Sequence, residues 1–238
     1  MTLGGLKRDG KLRIAINLGN AALACQDETT GMLSGVTVAL ARRLCEAIGA
    51  EPDFVLFQGA GKVVTAAPSD IWDIAFLAID RERAEAIAYS DPYVLIEATA
   101  VVRQESPLRH VDELDRPQTR LLVAENSAYD LYLKANARHL DLVRAETPKA
   151  SFDRFRSEPS RADAVAGVRQ SLEAAFQKDP DFRFLDGAIS AIEQAMALPI
   201  GKADMAPALS DFVRKAKQDG FVRQALDESG QTSLTVAP

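Results

Sequence analysis

Residues 72–94 read WDIAFLAIDRERAEAIAYSDPYV, and the fold turns on how this stretch is divided. The run IAFLAI at 74–79 is continuously apolar, as a parallel strand covered on both faces is, whereas a half-exposed strand alternates. Asp80 follows at once and is a good N-cap, so the pattern predicts a helix from there to about Ala88. A buried strand leading directly into a helix is one βα unit, and reading outward shows more of them.

Upstream, residues 12–16 form a strand, LRIAI. From Thr37, Leu40, Ala41, Leu44, Cys45 and Ile48 recur at helical spacing and Gly49 is a natural stop. Residues 54–57 read as a second strand, and Gly59-Ala60-Gly61 leads into a short helix from Lys62 that ends near Pro68. Downstream, 121–124, 140–144 and 164–168 are strands. Ser127 caps a helix through Tyr132 and Leu133, Phe152 and Phe155 share a helix face, and another helix starts near Gln170. The C-terminal part is helical, with Leu209, Phe212, Val213 and Ala216 on one stripe and Gly220 closing it. Such alternation predicts an α/β fold. Two extended segments, 98–103 and 190–198, lack the usual βα turn and bracket the middle units, as when a chain crosses to a second lobe and returns. The expected lobes are 1–102 plus 199–238, and 103–198. No internal repeat is strong enough to count.

The 238 residues are 47% hydrophobic and 26% charged, enough for a substantial core, with a net charge of -6. An acidic chain without a basic block argues against nucleic acid and anionic membrane surfaces as partners. No run approaches the roughly 18–20 apolar residues of a membrane span. Cys25, Cys45, His110 and His139 make no metal-ligand spacing. Cys45 reads as a small buried hydrophobe, and its pairing with Cys25 is left open. Gly59-Ala60-Gly61-Lys62 lacks the spacing of a phosphate loop. No cofactor is expected.

The order of these motifs resembles the type II periplasmic binding proteins, specifically the solute-binding family that serves amino-acid ABC importers. SGVTVALARRLCEAIGA at 34–50 resembles the family's GFDVDLAKALAKELG helix. The opening stretch 72–94 is similar to YDAIIAGMTITPERAKVVDFSDPYY. LLVAENSAYDLYL at 121–133 resembles VGVQKGTTAEDYL, RADAVAGVRQSL at 161–172 resembles GRVDAVVVDSPVA, and FVRKAKQDGFVRQAL at 212–226 matches the closing helices. The resemblance covers almost the whole chain. It implies two lobes, each a mainly parallel sheet flanked by helices, joined by two crossover strands and closing on a ligand held in the cleft.

It also implies site residues. Arg83 stands where the family's arginine grips the ligand carboxylate, a task suited to a bidentate guanidinium fork; the bland reading is an exposed helix arginine beside Arg81 and Glu82. The segment before Arg83 is about two residues shorter than in the family, with Ala78 where a Ser or Thr binds ligand. Ser127 matches a hydroxyl at a helix start that faces the carboxylate, although a plain N-cap would look the same. Tyr129 reaches the cleft or packs its helix. Asn20 replaces the aromatic over the ligand side chain, Leu23 replaces a phenylalanine, and Lys62 is a rim position. Val168 stands where the family places an Asp for the α-ammonium, and Arg169 beside it either faces inward or is a solvated helix start. A carboxylate without an α-amino group is therefore expected to fit better than an amino acid.

The expected function is non-catalytic binding of a small polar solute, a carboxylate or amino-acid-like compound, for import through an ABC permease, with the protein acting as a monomer. One alternative is an enzyme of the same fold, such as a prephenate or arogenate dehydratase. That reaction needs a buried acid, and Glu125 is the sole nearby candidate. Another is a sensing module acting in trans. The start, MTLGGLKRDGK, shows no signal peptide. The expected location is periplasmic by resemblance if a signal was removed, and cytoplasmic if Met1 is the native start.

Overall fold

The computed structural model describes residues 2–238. The strands and helices are, in chain order, β1 (Lys11–Asn17), β2 (Cys25–Gln26), β3 (Leu33–Ser34), α1 (Val36–Ile48), β4 (Glu51–Phe57), α2 (Ala60–Thr65), β5 (Ile74–Ala78), β6 (Ile87–Arg103), β7 (Arg120–Ala124), α3 (Ala128–Asn136), β8 (Asp141–Ala145), α4 (Pro148–Ser157), β9 (Ala164–Val168), α5 (Arg169–Phe176), β10 (Phe182–Phe184), β11 (Ser190–Pro199), α6 (Ala206–Gln218), α7 (Phe221–Glu228) and β12 (Thr235–Val236). The chain divides into two compact units, Met1–Leu95 with Glu193–Pro238, and Ile96–Ile192. Both divisions fall inside strands, β6 and β11, earlier than the 102/103 and 198/199 positions read from sequence. Pairing changes there: β6 runs against β12 at Val94 and Leu95 but against β9 from Ala98 onward.

In the first unit the strand order is β4-β1-β5-β11, with β1 parallel to both neighbours and β11 antiparallel to β5. Trp72, Leu77, Val63 and Ile87 form part of its core, and the Trp72 indole N–H donates to the Val63 carbonyl at 3.2 Å. Helix α1 buries Leu40, Ala41, Leu44 and Cys45 and stops at Gly49, whose left-handed φ of 64° lets its N–H reach the last-turn carbonyls. Both cysteines are free thiols, Cys45 buried and Cys25 exposed.

The second unit repeats the pattern: β8-β7-β9-β6, with β7 parallel to both neighbours and β6 antiparallel to β9. Its core is aromatic, with Phe176 edge-on to Phe152 at 5.6 Å and to Phe182 at 5.1 Å. Gly167 is required beneath it, since a Cβ would lie 3.0 Å from the Phe152 ring and 3.1 Å from Leu172.

The correspondence reaches individual hydrogen bonds, a likeness of structure between units whose sequences show no countable repeat. In the first unit Asp73 Oδ2 accepts from the Arg13 backbone N–H at 3.2 Å and from its Nε at 2.9 Å, and Arg13 Nη1 donates to the Asp70 carbonyl. In the second, Asp163 Oδ2 accepts from the Arg120 backbone N–H at 2.8 Å and from its Nε at 3.3 Å, and Arg120 Nη1 donates to the Ser160 carbonyl. Each clamp ties the amino end of one central strand to that of its neighbour. The first is more deeply set, because Lys202 Nζ also donates to Asp73 at 2.7 Å.

One predicted element fails. The stretch after Asp80 is only a 3-10 turn, Arg83–Glu85, and Ile87 already begins β6. Asp80 does cap, accepting the Arg83 N–H at 3.0 Å. The helix ends there because the following residues are claimed by a 17-residue strand, whose pairing outweighs local helix propensity.

Candidate functional site

In open parallel sheets, loops at the carboxyl ends of strands carry the ligand groups. In the first unit these are the loops after β1, β4 and β5. The β1 loop leaves on an Asx turn, Asn17 Oδ1 accepting from the Gly19 N–H at 3.0 Å. Gly19 touches the β4 loop so closely that a Cβ would clash with the Gln58 carbonyl at 2.6 Å. Asn20 is buried, its carbonyl accepts from the Leu23 and Ala24 N–H groups, and its side-chain oxygen has no hydrogen-bond partner among the described residues. Leu23 is core, with its carbonyl accepting from Thr37. Lys62 on α2 is exposed.

Ala78 is the last residue of β5, paired with Gln194 of β11. Arg83 follows across the tight turn and is 4% exposed, unlike its exposed neighbours Arg81 and Glu82. Its Nη1 donates to the Ala78 carbonyl at 3.4 Å. Burial pulls its pKa down, while Tyr89, Asp80 and Glu82 act the other way. An arginine stays charged even so, and a charge this deep is stabilised by oxygen partners. Tyr89 was not visible as a neighbour from sequence. Burial pushes its phenol up to about 12, with Arg83 opposing.

In the second unit the strand ends of β7 and β9 lie side by side. Asn126 takes a left-handed φ of 56° and Ser127 caps α3, its Oγ accepting from the Asp130 N–H at 3.2 Å. Asp130, itself buried, reaches back to the Asn126 N–H at 2.9 Å and pairs with Arg144 at 2.9 Å. Part of the α3 terminus is thus satisfied internally, leaving the Ala128 and Tyr129 amides as its first-turn donors without a helical acceptor. Tyr129 is buried. Its phenol is pushed up to about 12 by burial, with the Ser127 side chain and Ala124 backbone opposing, yet no hydrogen bond of good geometry forms to the hydroxyl.

Val168 is the N-cap of α5 and offers no side-chain acceptor. Arg169 is neither fully solvated nor uncommitted. Its Nε pairs with Glu97 at 3.0 Å and its Nη2 donates to the Gly187 carbonyl at 3.0 Å. Sequence reading missed Glu97, which reaches Arg169 only because Ala98 is in register with Val168. Glu125, the acid named for a dehydratase, is exposed. A recess of about 380 Å³, lined by Arg103, Leu108, Pro117, Thr119 and Asp163 among others, opens at the amino ends of these strands and involves none of the candidate residues.

A family model for bacterial extracellular solute-binding proteins, family 3, matches residues 12–230. The chain belongs to this family. Among curated relatives it is 25% identical over 203 residues to the L-cystine-binding protein TcyJ of Escherichia coli strain K12, covering 83% of this chain and 74% of that one. It is 23% identical over 193 residues to the glutamine-binding protein of Geobacillus stearothermophilus, covering 79% and 72%. Among solved structures, the L-cysteine solute receptor of Neisseria gonorrhoeae superposes with a TM-score of 0.82 at 23% identity, covering 96% of this chain and 93% of that one. The family's members bind solutes for transport, so the chain is a binding protein rather than an enzyme. Among the described residues, no helix is long and apolar enough to cross a membrane.

Proposed function

We propose that this family 3 member captures a small solute by its carboxylate, with Arg83 as the principal anchor and the first turn of α3 behind Ser127 as the second. The observation that carries the reading is an arginine only 4% exposed just beyond the carboxyl end of β5. A fork so placed suits a planar carboxylate. Asn20, Ala78, Lys62 and Tyr129 shape the rest of the site, and Val168 and Arg169 set what lies beside the carboxylate. The relatives named for cystine, cysteine and glutamine support a ligand of amino-acid size. The protein works as a monomer in the periplasm and delivers its ligand to an ABC permease.

Mass spectrometry of the native protein identifies what copurifies, and thermal shift tests it. A ligand at a hundred times its Kd adds about 2.7 kcal/mol, or roughly 5–10 °C for a chain of this size. Arg83→Ala is expected to weaken binding about a hundredfold. Arg83→Lys keeps the charge but loses the fork, and is expected to weaken binding at least tenfold. Full affinity in both variants would refute the anchor.

A further inference from the structure

We infer that the first turn of α5 receives an acceptor oxygen of the ligand, and that the preferred class is therefore the 2-oxo carboxylates rather than the amino acids. This rests on the carboxylate reading above and specifies the group beside it.

Three observations in the second unit converge. The amides of Arg169, Gln170 and Ser171 open α5 without a helical acceptor, and Val168 supplies no side-chain cap. Ser171 is only 9% exposed, and its Oγ is buried without a hydrogen-bond partner among the described residues. Helical side chains lean toward the N-terminus, so this hydroxyl at the third position lies over the same open turn. The third is the hydroxyl of buried Tyr129, which lies beside the Ser127 side chain and the Ala124 backbone at the end of β7 without a hydrogen bond of good geometry to either. Strand β7 is parallel to β9 through Leu121–Ala164 and Leu122–Val165, so the phenol belongs to the same strand end as α5.

The contrast with α3 gives the sign. There Ser127 accepts from the turn and Asp130 brings a carboxylate to it. At α5 the groups offered are the backbone N–H donors and the Ser171 hydroxyl, which is able to donate, while the Tyr129 hydroxyl stands at the neighbouring end of β7. Arg169 adds positive charge, and the nearby carboxylate, Glu97, is already committed to it. The side-chain oxygen of Gln170 is the exception, a neutral acceptor without a partner. An ammonium would face a positive helix end with no free carboxylate, whereas a carbonyl oxygen accepts two hydrogen bonds there.

The test is calorimetric titration of the full chain with two matched series: pyruvate, L-lactate, L-alanine and propionate; and 2-oxoglutarate, L-2-hydroxyglutarate, L-glutamate and glutarate. In whichever series binds, the oxo acid is expected to be about tenfold or more tighter than the amino acid. Ser171→Ala, a substitution small enough to leave the fold intact, should take about threefold or more from the oxo acid and nothing from the unsubstituted acid. Val168→Asp gives α5 an ordinary cap and should reverse the preference. If the amino acid binds as tightly as the oxo acid, and Arg83→Ala abolishes both, the inference falls and the carboxylate reading stands. If no compound of either series binds, or Arg83→Ala changes nothing, both fall.

Discussion

Asp73→Asn is expected to destabilise the protein far more than Asp163→Asn, although the two carboxylates make the same hydrogen bonds to an arginine. The difference is depth. The Asp73 side chain is fully buried, and it meets Arg13 and Lys202, whose side chains are 21% and 24% exposed. The amide keeps the volume but removes the charge that both cations share. Breaking a fully buried pair costs about 3–5 kcal/mol, and the partial exposure of the cations brings this to about 3. At about 2–4 °C per kcal/mol for a chain of this length, Tm should fall by roughly 6–12 °C. Asp163 and Arg120 are 40% and 39% exposed, and the further cation near Asp163, Arg103, acts on it through its charge. A pair this open to water is screened and holds little stability, so Asp163→Asn should lower Tm clearly less than Asp73→Asn does. Differential scanning calorimetry of the two variants against wild type, at moderate ionic strength, measures both shifts. Equal shifts, or a larger one for Asp163→Asn, would refute the argument from burial.

The same clamp predicts an acid dependence. Burial alone would raise the Asp73 carboxyl, but Arg13 and Lys202 outweigh it and hold it below the usual carboxylate range. A lowered folded-state pKa contributes stability above the unfolded value of about 4 and loses it as pH falls further, so the Tm gap between wild type and Asp73→Asn should close below about pH 4. Gly35→Ala should cost at least about 1–3 kcal/mol, because φ there is 107° and a Cβ would lie 2.8 Å from the Leu23 carbonyl carbon. Gly10→Ala, with φ of 80° but open space around it, should cost only about 1 kcal/mol. Thermal melts of this pair separate steric clash from backbone strain, and equal losses would contradict the close packing of Gly35 on the β1 loop.

Strands β1, β5, β7 and β9 could be read from sequence because burial on both faces writes them as apolar runs. Helix α1 was equally plain, since its stripe and its closing glycine agree. The stretch after Asp80 was misread because its cap is real while its continuation is decided by the partners of β6. The three-residue β10 and the two-residue strands β2 and β3 carry too few residues for any period to show. Arg83, Ser127 and Val168 were singled out by their place in a familiar order of motifs. Glu97 and Ser171 were not, because one acts through a strand register spanning 72 residues and the other through burial, which no single residue type declares. The clamp of Asp73 was hidden for the same reason, its partners lying 60 and 129 residues away.

That clamp also works as a ruler. Counting seven residues from Arg13 gives Asn20, and seven from Arg120 gives Ser127; five from Asp73 gives Ala78, and five from Asp163 gives Val168. Four of the candidate residues are thus two pairs of counterparts, each at the same distance in sequence from a pinned strand end, Ala78 and Val168 on the strands and Asn20 and Ser127 in the loops beyond them. Pinning one end while leaving the other to loops separates what the fold needs from what the ligand reads. A protein built this way accepts changes at the far ends, Val168 among them, without disturbing the ion pairs that keep each sheet in register.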